Sequence, residues 1–102
     1  MNNSKIKICS IPYYREDQYE QLRAVSIDKG IFSRPYDDYM EITKSKHKEM
    51  ERKGFKVVKI IINIEELIEW AKSKHLNINT ESRTRFTMKK LKAMMSNGLV
   101  DI

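Results

Sequence analysis

The residues that could carry out chemistry are two histidines, one cysteine and a pair of adjacent aspartates. Cys9 could act as a nucleophile only beside a base, and the sequence places none near it. His47 and His75 could bind a metal or relay a proton, but neither belongs to an HxxxH, HxH or CxxC arrangement. Asp37 and Asp38 suit the first turn of a helix, where the helix dipole favours acidic side chains. The sequence therefore predicts no catalytic centre, no metal site and no cofactor.

Length and composition indicate one small folded domain. The chain has 102 residues, of which 40% are hydrophobic and 33% charged, a balance typical of a globule rather than a disordered segment. Residues 1–4 and 99–102 are predicted to be terminal tails. A single cysteine, early lysines and the lack of an apolar run of about 18 residues favour a cytoplasmic protein without a membrane segment.

The positive charge of the sequence is confined to one stretch. The net charge is +6, and residues 70–92 contain seven lysines and arginines against Glu81 alone. The remaining residues have thirteen basic and thirteen acidic side chains, and are therefore neutral. Such an asymmetry predicts an acidic partner, which could be a protein or a nucleic acid.

Hydrophobic periodicity predicts an α+β fold in the order strand, helix, helix, strand, helix, helix, with a small sheet covered by helices. The first strand is predicted over Lys5–Ile11, ending at Pro12, which cannot donate to a sheet ladder. The other predicted elements are a helix over Arg15–Ile27, a helix capped by Ser33, a strand over Phe55–Asn63, a helix capped by Asn63, and a helix capped by Thr80 that runs to about Ser96.

The strand Phe55–Asn63 is apolar on both faces, so we expect both faces to be covered. Two strands make a poor sheet alone, and an apolar edge in water invites pairing with another chain. A twofold homodimer that pairs Phe55–Asn63 with its copy would give a four-stranded sheet. The alternative is a monomer in which a helix or the C-terminal tail covers this edge.

The fourth helix is predicted to carry the binding residues. At about 100° per residue, Met88 and Leu91 belong to one side and a basic set with an aromatic ring belongs to the other. The predicted binding residues are Arg83, Arg85, Phe86, Lys89, Lys90 and Lys92. The cations could neutralise phosphates, and Phe86 could stack on a base or enter a protein pocket. The alternative is a solvated basic face with Phe86 packed against a neighbouring helix.

Four of the five tyrosines lie near two predicted helix starts, at Tyr13, Tyr14, Tyr36 and Tyr39. They could form an aromatic rim that recognises a ligand. The alternative is a rim that packs its rings and leaves its hydroxyls in water.

Several segments of the chain resemble motifs of a group of short, uncharacterised bacterial proteins. They are Ile11–Arg23, the helix start Tyr36–Tyr39, the strand Val57–Asn63, Trp70-Ala71 and Ser82–Phe86. This resemblance covers most of residues 11–92 and supports the architecture without supplying a function. The part from Phe55 onward also resembles a ribbon-helix-helix unit, which binds DNA as a dimer. Because its strand is apolar on both faces, the resemblance implies dimerisation through the strand more than base readout by it.

Two hypotheses of function follow. The first is a non-catalytic binding or regulatory protein whose basic helix meets an acidic protein partner, as an inhibitor, antitoxin or adaptor would. The second is a nucleic-acid-binding regulator of ribbon-helix-helix-like character. Neither hypothesis makes the protein an enzyme.

Overall fold

The computed structural model describes residues 7–99, and its elements follow the predicted order. They are β1 (Lys7–Tyr13), α1 (Glu16–Val25), a 3-10 turn (Gly30–Ser33), α2 (Tyr36–Arg52), β2 (Phe55–Ile61), α3 (Ile64–Ser73) and α4 (Thr80–Ser96). The α+β class, with a small sheet flanked by helices, is confirmed. Lys5 and Ile6 of the predicted first strand, and the predicted tails apart from Leu99, lie outside the described residues.

The two strands of the described sheet run parallel, with Ser10 beside Val58. Side chains of paired residues in parallel strands share a face of the sheet. Ser10 lies on the face toward α4, where its hydroxyl donates to the sulfur of Met88 at 3.8 Å. Tyr13 lies on the opposite face, where its hydroxyl is 2.9 Å from His47 Nδ1 of α2. Helices therefore flank the sheet on both faces.

Pro12 does not end the first strand as predicted, because β1 continues to Tyr13. The N–H of Ile62 donates to the carbonyl oxygen of Tyr13 at 3.0 Å, so Tyr13 directs its backbone groups toward β2. Backbone groups of successive strand residues point to opposite sides, and Pro12 therefore faces the other edge of β1. Its missing N–H costs no ladder hydrogen bond there.

The cover of β2 is unequal on its two faces. Val58, Ile60 and Ile62 are buried in the main core, whereas Ile61 is 59% exposed. The prediction of full cover on both faces is wrong at this end of the strand. The face toward α2 is filled by Tyr13 from the neighbouring strand, so less apolar contact remains for β2.

The main core joins an aromatic cluster to an aliphatic one. Rings from the residue after β1, from α1, from the 3-10 turn and from α2 meet edge-to-face or tilted, with centroids 5.2–6.3 Å apart. The rings belong to Tyr14, Tyr19, Phe32, Tyr36 and Tyr39. Aliphatic side chains of β2 and α3, with Phe86 and Leu91 of α4, complete the cluster. None of the helices between residues 7 and 99 has the length and apolar character that a membrane-spanning helix needs.

Of the three residues predicted to cap helices, one is found at that position in the structure. Asn63 caps α3 as predicted, since its side chain accepts a backbone N–H of the first turn at 3.0 Å. Pro35, not Ser33, stands at the N-cap of α2, because Ser33 closes the preceding 3-10 turn. Asn79, not Thr80, caps α4, and it forms a capping box with the third residue of the helix.

Candidate functional site

The helix α4 is turned about its axis relative to the prediction. Phe86 is only 3% exposed and Arg83 only 8%, whereas Met88, predicted on the side of Leu91, is 42% exposed. The outward orientation predicted for Arg83 is wrong, and Phe86 adopts the alternative arrangement against a neighbouring helix. Thr87 and Leu91 are buried on the side that the periodicity predicted, but Phe86 is buried in place of Met88. Met94 and Met95 are partly buried and pack against the core.

Arg83 joins the start of α4 to the segment that follows α1. Its Nη1 donates to Ser26 Oγ at 3.0 Å and to Asp28 Oδ1 at 2.9 Å, and its Nη2 donates to Thr80 Oγ1 at 3.1 Å. The guanidinium also lies 4.7 Å from the centroid of the Phe32 ring. Burial opposes ionisation of Asp28, but the hydrogen bonds from Thr80 and Arg83 outweigh it and lower the pKa of this carboxyl to about 2. Arg83 therefore acts in the fold rather than on the surface.

Phe86 and Lys90 belong to the contact between α3 and α4. The Phe86 ring lies 5.3 Å from the Trp70 ring, centroid to centroid. Lys90 Nζ lies 5.3 Å from the Phe86 ring centroid and 2.7 Å from Glu66 Oε1. Arg85 lies on the outer side of this contact, 5.7 Å from the Trp70 ring centroid. The six predicted binding residues are thus divided between the helix contact and the surface.

The surface retains three exposed cations on α4, which we call the basic face: Arg85, Lys89 and Lys92. Their spacing of four and three residues places them on one side of the helix. Lys89 and Lys92 have no ion pair among the described residues. Lys89 borders a shallow groove whose α3 side carries Glu65 and Glu69. The basic face therefore adjoins an acidic one.

The tyrosines lie in the core rather than at an exposed rim. Tyr13, Tyr14 and Tyr39 are buried, and Tyr36 is half-buried. The Tyr14 N–H donates to the Tyr39 hydroxyl at 3.2 Å, and the Tyr36 hydroxyl donates to the Tyr14 carbonyl oxygen at 2.8 Å. Burial raises the pKa of Tyr39 to about 12. The hydroxyls therefore hold the backbone after β1 in place.

The cysteine and the histidines lie apart. Cys9 is half-buried in β1, and desolvation raises the pKa of its thiol. His47 contacts Tyr13, and its Nε2 lies 3.4 Å from Glu51 Oε2. His75 is exposed in the turn after α3. Residues 7–99 contain no group of three His, Cys, Asp or Glu side chains that could hold a metal ion.

A groove along the outer edge of β1 is a feature that the sequence did not reveal. It has a volume of about 600 Å³ and lies between β1, the 3-10 turn, α2 and the start of α4. Its lining includes Ile8, Ser10 and Pro12 of β1, Lys46 of α2, and Thr84 and Met88 of α4. These residues are far apart in the sequence, so no local spacing marks the site. The one local signal is Pro12 in an alternating segment, which is typical of an edge strand.

The chain finds no match among protein-family models, curated proteins or solved structures, so the groove and the basic face are interpreted from their own residues.

Proposed function

We propose that this protein is a non-catalytic binding or regulatory protein of the cytoplasm that contacts an acidic protein partner, as an inhibitor, antitoxin or adaptor would. The observation that carries this proposal is the basic face, in which Arg85, Lys89 and Lys92 remain exposed on one side of α4. Buried Arg83 and Phe86 hold that helix in a fixed orientation. A rigid helix presenting cations recognises a partner at little cost in conformational entropy.

The surroundings of the basic face favour a protein over a nucleic acid. Glu65 and Glu69 border it across the shallow groove, and Lys90 is already neutralised by Glu66. Carboxylates beside the basic face would repel a phosphate backbone, whereas protein interfaces pair charges of both signs. Met88 adds an exposed apolar side chain beside the cations, which suits the centre of a protein interface.

A nucleic-acid-binding regulator of ribbon-helix-helix-like character is the second candidate. The observation in its favour is the net charge of +6 that residues 70–92 carry. A homodimer through Phe55–Asn63 is compatible with either candidate, because the outer edge of β2 has no partner strand among residues 7–99 and Ile61 beside it is exposed. Sedimentation at several concentrations tests the dimer, and the Ile61→Glu variant should shift it to monomer.

A pull-down with the full chain from bacterial lysate, with and without nuclease, tests the proposed function. We expect one stoichiometric protein that survives nuclease and is lost on the double change Lys89→Glu and Lys92→Glu. The matched control changes Lys44 and Lys48, exposed lysines of α2, to glutamate. It alters the net charge equally and should retain the partner.

Two results would contradict the proposed function. One is a partner lost equally from both double variants, since net charge alone would then explain the capture. The other is a partner released by nuclease, together with duplex DNA binding at about 50 mM salt that weakens steeply as salt rises. That result would support the nucleic-acid regulator.

A further inference from the structure

We propose that the groove along the outer edge of β1 binds an extended acidic segment of the partner protein, which adds to the sheet as a third strand. This inference rests on the proposed function in assuming a protein partner, but it concerns a surface other than the basic face. Addition of a strand to a sheet edge is a general mode of peptide recognition, in which the main chain supplies affinity and alternate side chains supply specificity.

The first step is the direction of the backbone groups in β1. Because Tyr13 points its carbonyl toward β2, the alternation directs the N–H and C=O of Ile8 and Ser10, and the C=O of Pro12, into the groove. These outward groups of Ile8 and Ser10 point away from β2, and no other backbone group within residues 7–99 forms a hydrogen bond with them. An incoming strand can therefore form hydrogen bonds at two successive outward residues, Ile8 and Ser10.

The second step is the shape of the groove. The wall on one side is α4, through Thr84 and Met88, and Lys46 of α2 lies on the other. A strand spaced about 4.8 Å from β1 would lie between these walls. The volume of about 600 Å³ is within the range of sites that enclose a ligand of moderate size. The walls leave room for one extended segment rather than for a folded surface.

The third step is charge. Among residues 7–99, the side chains that line the groove include three cations and no carboxylate. The charge of Arg83 is balanced by Asp28. Among residues 7–99, Lys29 donates only to the carbonyl oxygens of Arg23, in the last turn of α1, and of Ser26, and Lys46 is exposed without an ion pair. Within the part of the chain that the structure describes, two positive charges therefore remain without an ion-pair partner in the groove. They complement Asp or Glu side chains of an incoming strand.

The same charges argue against a second copy of this chain as the occupant. Pairing the outer edges of two β1 strands would bring Lys29 and Lys46 of one copy toward those of the other. Like charges at an interface oppose association. A small anion could satisfy the lysines, but it would leave the backbone groups of Ile8 and Ser10 without partners.

Hydrogen exchange of the full chain, followed by NMR, tests the inference. The probe is a blocked peptide of alternating glutamate and valine, and the control peptide alternates lysine and valine. We expect the amides of Ile8 and Ser10 to exchange about tenfold more slowly when about 90% of the protein is bound to the acidic probe. The basic peptide should give no protection.

Two variants of Ser10 separate the backbone contact from the side chain. Ser10→Pro removes the N–H that faces the groove, and we expect at least about tenfold weaker binding of the acidic probe, the ratio that about 1.4 kcal/mol produces. Ser10→Ala removes the hydroxyl but keeps the N–H, and should bind the probe as the unmodified chain does. The spectrum of each variant shows whether it folds.

Several outcomes would overturn the inference. They are no binding at about 1 mM probe, binding without protection at Ser10, equal binding by Ser10→Pro, and protection that grows with protein concentration in the absence of peptide. The last result would identify a second copy as the occupant. The double variant Lys89→Glu and Lys92→Glu should still bind the probe. The experiment therefore distinguishes a failure of the proposed function, which depends on the basic face, from a failure of the inference about the groove.

Discussion

The guanidinium of Arg83 donates to the carboxylate of Asp28 at 2.9 Å, and this pair joins the first turn of α4 to the segment after α1. The two residues are 55 positions apart in the sequence. Arg83 is buried and Asp28 is partly exposed, so the pair lies at the boundary between the core and the surface. Substituting either residue measures what the pair contributes to the free energy of unfolding.

The Arg83→Ala variant should lower the free energy of unfolding by about 2–4 kcal/mol, because it leaves Asp28 and Ser26 without their buried donor. Urea denaturation measures the change. Arg85→Ala, which removes an exposed cation of the same helix, is the control and should cost less than about 1 kcal/mol. Equal losses in the two variants would show that Arg83 does not hold the helix in place.

The same pair predicts a dependence of stability on pH. The pKa of Asp28 is about 2 in the folded chain, below the value of about 3.9 usual for an unfolded aspartate. A lowered pKa stabilises the fold above the unfolded value, and this contribution is lost as pH falls from about 4 to about 2. We therefore expect the stability difference between the unmodified chain and Asp28→Asn to shrink over that range.

Urea denaturation at intervals from pH 6 to pH 2 measures this difference. Asp37→Asn, which removes a carboxylate from the first turn of α2, controls for the change in net charge. A difference for Asp28→Asn that stays constant down to pH 2 would contradict the lowered pKa.

The orientation of α4 predicts opposite results for two neighbouring positions. Phe86→Ala should cost about 3–5 kcal/mol, because it removes a buried ring that packs on Trp70. Lys89→Ala should change stability by no more than about 0.5 kcal/mol, because the side chain is exposed. The fluorescence of Trp70, the only tryptophan, reports unfolding of both variants. Equally small losses in the two variants would restore the orientation predicted from periodicity, which places both side chains on the outward side.

The sequence was sufficient to predict the order of the elements, because the hydrophobic period differs between segments and Gly30, Gly54 and Asn63 mark boundaries between them. It could not orient α4, since Phe86 and Met88 are both apolar and the choice between them depends on where α3 places Trp70. The burial of Arg83 could not be predicted either, because it depends on the ion pair with Asp28, which comes near Arg83 only in the folded chain. The groove had no sequence signal apart from Pro12, because it forms between four separated segments.

Proline at successive positions of β1 provides a test of which edge is open. Ser10 directs its N–H outward, whereas Cys9 directs its N–H toward β2. We expect Ser10→Pro to be tolerated at a cost near 1 kcal/mol, as Pro12 is, and Cys9→Pro to cost about 3 kcal/mol or more through a lost ladder hydrogen bond. The alanine variants at Cys9 and Ser10 measure the cost of losing each side chain, which is subtracted from the cost of the proline variant. Urea denaturation giving equal costs for the two prolines would mean that the outer edge is already paired, which would also exclude an incoming strand from the groove.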